Sequence, residues 1–461
     1  MKIAILAGSP KGDQSVTMQY VGYIKKEFPR HTYRVFHVAQ QIKKLEKDRQ
    51  AFSRIIDEVK TSDAVLWAFP LYYLLVHAGM KRFIELIAEN KAQGAFKNRH
   101  AASLSTSIHF FDQTAHAYIR AVSEDLGMRY VGYHSPAMYD LVEERGRKQL
   151  ILFAEEFFTA IENKAPMPRL SAPLEKSAFT YRAGAPSRTV DPGAKKIVVL
   201  TDSAGDQGNI RGMVERFVGS FAVPPEVVDL NDVDIKGGCL GCIRCGWDNT
   251  CAYTGKDGFV DFYKKTIIPA DVIVLAGTIR DRYLSSVFKR FFDRSFFMTH
   301  LPVMENKQVA CLVSGPLSRV PTLTEAFRGY FETQRASIVD FVSDEIGDSA
   351  RLDALITGLA GRIVEAAETG YIRSMTFLAA GGRKIFRDDV WGRLRFPFVA
   401  DYRYYKGHGV FDFPQKTDTK FRMINTLLTL LAHIRPVREK IYGSMMKTEM
   451  LKPLARVVEK Y

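Results

Sequence analysis

Cysteine is scarce in this chain, with five in 461 residues. Four of them fall between Cys239 and Cys251. A disulfide-stapled secreted scaffold is thereby excluded, and such crowding in a large chain points to metal or cluster ligation. Long apolar runs are also missing. The opening MKIAILAGSPKGD carries only Ile3 to Ala7 before a turn, too short for a signal-peptide core. The longest candidate span, around Leu427 to Ile434, falls well short of the ~20 residues a bilayer needs. We therefore expect a soluble, cytoplasmic protein. The hydrophobic fraction is 46% and the charged fraction 25%, which excludes disorder or collagen as whole-chain descriptions.

Charge is not short, but it is uneven. The net charge is +14, and residues 371–461 alone carry 18 Lys and Arg against 8 Asp and Glu. A basic tail of this kind suits an anionic membrane surface or an acidic protein, in a salt-sensitive contact, or is simply a solvated face. Nucleic acid is not expected.

The order of apolar runs defines the architecture. KIAILA (2–7) is a short buried run stopped by Gly8-Ser9-Pro10, as in a parallel strand that ends in a turn. A helix is expected from Ser15 to Phe28. Further strands follow at 31–38, 63–70, 101–107 and 128–134. Helices are expected at 51–61, around Val76 to Ile87, and from Gly146 to Asn163. Strands alternating with such helices predict a parallel sheet covered on both faces. Five prolines between Pro166 and Pro192 interrupt the pattern as a linker. The alternation then restarts, with strands at 195–205, 225–230, 271–277, 308–315 and 336–342 and a last helix from Ala350 to Ala367. VFKRFFDRSFF (287–297) stands where KRFIELI (81–87) stood before. We read an internal duplication with domains at 1–165, 195–370 and 371–461, joined by a linker at 166–194. The last of these is a partly helical, basic extension expected to pack on the second domain.

In an open parallel sheet, ligands bind beyond the carboxyl ends of the strands. The first such turn, Gly8 to Thr17, is neither G-x-G-x-x-G nor a P-loop. Its hydroxyls at Ser9, Ser15 and Thr17, together with backbone N–H groups opening a helix, suit one phosphate monoester. The turn after the third strand, Pro70-Leu71-Tyr72-Tyr73, offers aromatic walls for a planar ring. The turn after the fourth adds Ser107 and His109. One phosphate and one flat ring describe FMN. LAGSPKGDQSVT (6–17) with FPLYYLLVHAGMKRFIELI (69–87) resembles the NADPH-dependent FMN reductases of the flavodoxin-like superfamily. The resemblance implies FMN contacts from Ser9, Lys11, Ser15, Val16 and Thr17 and from Pro70, Leu71, Tyr72 and Tyr73. Ser15 stands where that family commonly has asparagine. In the second copy the corresponding loops lack the proline and lysine. Asp202 and Asp206 there would repel a phosphate if they point inward, so FMN is expected in the first copy, and a second FMN is left open.

Cys239, Cys242, Cys245 and Cys251 read C-x2-C-x2-C-x5-C in a glycine-rich loop. The compact core spacing suits three corners of a [4Fe–4S] cube, and the fourth cysteine closes the site. Structural zinc more often pairs two separated knuckles and is the alternative. The stretch 235–259 also resembles the iron–sulfur flavoproteins, which implies a cluster in this loop and electron exchange with a flavin. Cys311, inside a strand run, reads as a small core residue. The expected fold is two tandem flavodoxin-like α/β sheets with a C-terminal extension. The expected function is an oxidoreductase linking NAD(P)H or another donor, FMN and the cluster, with no side-chain catalytic group required. A redox partner protein or small acceptor receives the electrons, and a homodimer stays open. The alternatives are a non-enzymatic electron carrier and a cofactor-poor scaffold with a zinc site.

Overall fold

The computed structural model describes residues 1–175, 178–186, 189–203, 208–298, 300–413 and 419–460. The first half contains β1 (Lys2–Ala7), α1 (Val16–Glu27), β2 (Thr32–Phe36), α2 (Ile42–Lys47), α3 (Arg49–Lys60), β3 (Ala64–Pro70) and α4 (Ala78–Glu89). It continues with β4 (His100–Thr106), α5 (Asp112–Asp125), β5 (Arg129–His134) and α6 (Glu144–Glu162). The second half contains β6 (Ile197–Thr201), α7 (Asn209–Gly219), β7 (Glu226–Asp229), α8 (Cys245–Asp248) and α9 (Phe259–Phe262). There follow β8 (Val272–Thr278), α10 (Ser286–Arg294), β9 (Gln308–Ser314), α11 (Pro321–Thr333), β10 (Ser337–Ser343) and α12 (Ser349–Thr369).

Each half is a five-stranded parallel sheet. The orders are β2-β1-β3-β4-β5 and, read from the opposite edge, β7-β6-β8-β9-β10. The two orders are the same, and both are the flavodoxin-like order. Central strands bury every apolar side chain, as strands covered on both faces must: β3 and β4 are buried along almost their whole length. Cys311 is a fully buried residue of β9.

One hydrophobic core runs through both halves. Trp67, Phe83 and Ile84 of the first half belong to the same buried cluster as Phe288, Phe292 and Phe327 of the second. Separate clusters fill the outer face of each sheet. At the centre of the seam, α4 and α10 each cap the other. Glu85 of α4 accepts hydrogen bonds from the Ser286 N–H (2.6 Å) and Oγ (2.5 Å) at the start of α10. Asp293 of α10 accepts one from the Ala78 N–H (2.7 Å) at the start of α4. A carboxylate at a helix N-terminus satisfies an orphan donor and opposes the positive end of the helix dipole. Each carboxylate also has its own buried lysine. Lys81 Nζ lies 3.1 Å from Glu85 and donates to the Arg280 carbonyl at 2.8 Å. Lys289 pairs with Asp293 and donates to the Tyr72 carbonyl at 3.0 Å. Burial pushes the Glu85 carboxyl up, but Lys81 and Ser286 outweigh it and hold the group below its ordinary value.

The extension opens with α13 (Phe377–Trp391) and α14 (Val399–Gly407). Residues 1–402 form one compact unit and residues 403–461 a second. Helix α13 packs on α11, as expected, and also on the first half: the Phe386 ring lies 4.4 Å from that of Phe110. The second unit holds α15 (Thr419–Leu431), α16 (Arg435–Lys440) and α17 (Met446–Lys460). Among the described residues no helix is long and apolar enough to cross a membrane.

Removing one member of a buried ion pair strands the other charge and costs about 3–5 kcal/mol. Glu85→Ala and Asp293→Ala are each expected to lower unfolding stability by about that amount in a denaturant titration. A surface control such as Glu215→Ala should shift it by less than about 0.5 kcal/mol.

Candidate functional site

In the first half a single helical turn, Gly12–Gln14, links β1 to α1. Ser9, Ser15 and Thr17 are all buried. Ser9 Oγ accepts from the Lys11 N–H at 3.2 Å, and Ser15 Oγ caps α1 through the Met18 N–H at 3.3 Å. Both hydroxyl oxygens act there as acceptors. Thr17 Oγ1 meets Thr106 Oγ1 at 2.7 Å, tying the turn after β1 to the end of β4. Val16 opens α1, and Lys11 is exposed.

Pro70 ends β3 opposite Thr106, and the Leu71 N–H donates to the Thr106 carbonyl. Tyr72 and Leu75 then close a tight turn by reciprocal backbone hydrogen bonds of 2.8 and 3.0 Å. The Tyr72 ring stands edge-on to His77, with centroids 4.9 Å apart. Tyr73 turns into the seam, against Phe296 (6.0 Å) and Tyr330 (5.4 Å). In the third turn Ser107 Oγ accepts from the His109 N–H at 2.9 Å, and His109 Nδ1 lies 3.1 Å from Asp112 Oδ2. That carboxylate raises the His109 pKa.

The cysteine loop of the second half lies directly on this edge of the first. His77 Nε2 is 2.9 Å from the Cys239 carbonyl oxygen. A Cβ placed on Gly241 would collide with the Tyr72 hydroxyl and lie 3.0 Å from Lys11 Cε, and Gly241 also has φ +63°. Glycine is required there on both counts. A Cβ on Gly246 would collide with the Pro397 carbonyl, so the segment between α13 and α14 closes the other side of the loop. Arg294 secures the base. It binds Asp257 through two nitrogens (2.6 and 3.0 Å), donates to the Gly237 carbonyl at 3.1 Å, and stacks over Tyr253 at 4.0 Å.

Cys239, Cys242, Cys245 and Cys251 line one small cavity of ≈20 Å³, walled by Tyr253, Arg294, Phe296 and Phe297. Burial pushes the Cys239 thiol up to about 12. Burial does the same to Cys245, reinforced by its neighbours Cys251 and Cys242. Among the described residues, no three Cys, His, Asp or Glu side chains are gathered as ligands of a single metal ion.

The matching edge of the second half is built differently. Asp344, buried, accepts from Asn209 Nδ2 (2.8 Å), Ser314 Oγ (2.7 Å) and the Gly315 N–H (2.7 Å). Its carboxylate fills the gap between the start of α7 and the end of β9, the gap that Thr17 and Thr106 bridge in the first half. Asp202 is buried too, and burial raises its pKa. Asp206 lies outside the described residues.

The structure therefore brings the three predicted turns of the first half to one sheet edge and sets the cysteine loop against it at Cys239 and Gly241. Sequence reasoning gave no role to His77, Arg294, Phe296 and Pro397, which three distant stretches of the chain bring together at this loop. It missed Asp344 as well, which lies 135 residues from its Asn209 partner.

Residues 1–138 match the family of the NADPH-dependent FMN reductases. No curated protein matches the chain. Among solved structures, FerB, a flavoenzyme NAD(P)H:(acceptor) oxidoreductase from Paracoccus denitrificans, is 22% identical, with a TM-score of 0.30 over 35% of this chain and 98% of its own. RosB with bound 8-demethyl-8-formylriboflavin-5'-phosphate is 17% identical, with a TM-score of 0.32 over 42% and 88%. An FMN-dependent NADH-azoreductase from Bacillus anthracis is 14% identical, with a TM-score of 0.29 over 34% and 98%.

His116 sits behind this edge, with Nδ1 2.7 Å from Ser103 Oγ and Nε2 2.8 Å from Ser105 Oγ. Burial pushes its pKa down to about 3 from the ordinary 6.5. Below pH 6.5 the unfolded chain takes up a proton that the folded chain refuses. Stability is therefore expected to fall as pH drops from about 6.5 towards 3, and His116→Gln should flatten that limb in pH-dependent denaturation.

Proposed function

We propose that this protein is an FMN-dependent oxidoreductase whose first half holds one FMN and whose cysteine loop holds a [4Fe–4S] cluster. NAD(P)H or another donor would reduce it, and a protein or small molecule would take the electrons. One observation carries the reading: the only stretch crowded with cysteines lies against the flavin-type turn of the other half, through Gly241 on Tyr72 and Lys11 and through His77 on the Cys239 carbonyl.

The residues present fit both groups. Ser9 and Ser15 keep their O–H donors while their oxygens are engaged, Thr17 adds a third hydroxyl, and Lys11 supplies positive charge at the rim. Tyr72, with Pro70 and Leu71, would border the ring. Ser107 and His109 would offer polar contacts from the third turn. All four cysteines line one cavity, and in this reading their sulfurs would take the four corners of the cube. Flavin exchanges electrons in pairs or singly and a cluster singly, so neither needs a nucleophile from the chain. The chain's own contribution is position, burial and hydrogen bonding. Asp344 and Asp202 keep a second phosphate out of the other half. We read the two halves as copies of one ancestral domain, of which one keeps the flavin turn and the other has acquired the cysteines.

An absorption spectrum of anaerobically purified protein tests the pair of cofactors. Flavin bands together with a broad iron–sulfur shoulder are expected; a colourless protein contradicts the proposal. A hydrogen bond to a charged group contributes about 1.5–3 kcal/mol, so Ser9→Ala with Thr17→Ala should weaken FMN retention at least tenfold. Cys242→Ser should remove one-electron output and leave flavin binding intact. Unchanged electron transfer in that variant would make the cysteines structural.

A further inference from the structure

The C-terminal unit has a feature that the redox chemistry does not use. Residues 403–461 carry 12 Lys and Arg against 5 Asp and Glu. Within α15, Met423, Ile424, Leu427, Leu428, Leu430 and Leu431 are all exposed, and Met423, Leu427 and Leu430 are 74%, 58% and 63% so. At about 100° per residue these six fall within roughly 160° of one side. Asn425, Thr426 and Thr429 occupy the other. Helix α17 repeats the arrangement: Leu451, Leu454, Val457 and Val458 are exposed along one side, with Lys452, Arg456 and Glu459 opposite.

We propose that this unit docks on the surface of an anionic lipid bilayer, with the apolar sides of α15 and α17 sunk into the headgroup boundary. Three observations select that occupant. A contiguous apolar stripe of this size is rare on the surface of a soluble protein without a partner, whereas scattered single residues are common. The stripe is aliphatic and wide, and it recurs on two helices, which suits a flat fluid surface better than a groove that accepts a few anchors. Basic residues bracket α15 at both ends, Lys420 and Arg422 on one side and Arg435, Arg438 and Lys440 on the other, and complement acidic headgroups. Because no described helix can cross a membrane, the unit lies on the surface instead of spanning it. The inference is independent of the cofactors.

Co-sedimentation of the full chain with vesicles tests it. The vesicles are phosphatidylcholine, alone or with about 30% phosphatidylserine. Partition onto the anionic vesicles is expected to exceed that onto neutral ones at least tenfold at about 0.1 M salt, and to drop at least tenfold at about 0.5 M, where screening shortens. Each basic residue near such a surface is worth roughly a fivefold change, so Arg435→Gln, Arg438→Gln and Lys440→Gln together should reduce binding more than tenfold. Leu427→Glu with Leu431→Glu should abolish it while helix content, read by circular dichroism, stays unchanged. Equal binding to both vesicle types, no binding to either, or loss of helix-dependent binding only towards an acidic protein would overturn the proposal.

Discussion

The reciprocal capping of α4 and α10 is the constraint on which the rest of the structure depends. Glu85 satisfies the start of α10, and Asp293 satisfies the start of α4. The two contacts fix both the distance and the direction between the halves. Lys81 and Lys289 neutralise the carboxylates and then reach the Arg280 and Tyr72 carbonyls in the opposite turns. The same network thus sets the seam and the shape of the turn that carries Tyr72. Around it the aromatic core closes without a break from Trp67 to Phe327.

Within this frame of two sheets in the same strand order the two edges differ in charge. The first presents hydroxyls at Ser9, Ser15 and Thr17. The second presents a buried carboxylate, Asp344, held by three donors that an anion would otherwise use. In the proposed reading this asymmetry assigns the roles: the half with the buried carboxylate lends its cysteine loop to the half with the hydroxyls. Pro397 at Gly246 and Phe386 at Phe110 then show the extension acting as a cover over both the cysteine loop and the third turn.

Much of this was legible in the sequence. KIAILA, DAVLWAFP and DVIVLAG are continuous apolar runs because their strands are covered on both faces, and such runs stand out without any alignment. The parallel arrangement was legible as well, because strands alternated with helices of crossover length. The turns at Ser9 to Thr17 and Pro70 to Tyr73 were readable because local chemistry carries their signal. What was not legible depends on contacts between remote residues. His77 looks like any N-terminal helix residue until Cys239 is placed beside it. Helices α2 and α5 went unread, and α13 was hidden by the Gly381-Gly382 pair, which lowers helix propensity while allowing Phe110 and Phe111 to pack against its backbone. Tyr73, read as a wall for a ring, owes its place between Phe296 and Tyr330 to the second half.

The direct measurement is the number of flavins that one chain binds. Calorimetric titration of the flavin-depleted protein with FMN is predicted to saturate at one equivalent per chain, the outcome of the proposal that Asp344 and Asp202 close the second edge. Saturation at two equivalents would contradict the assignment of roles to the halves, and absence of binding would contradict the flavin site itself.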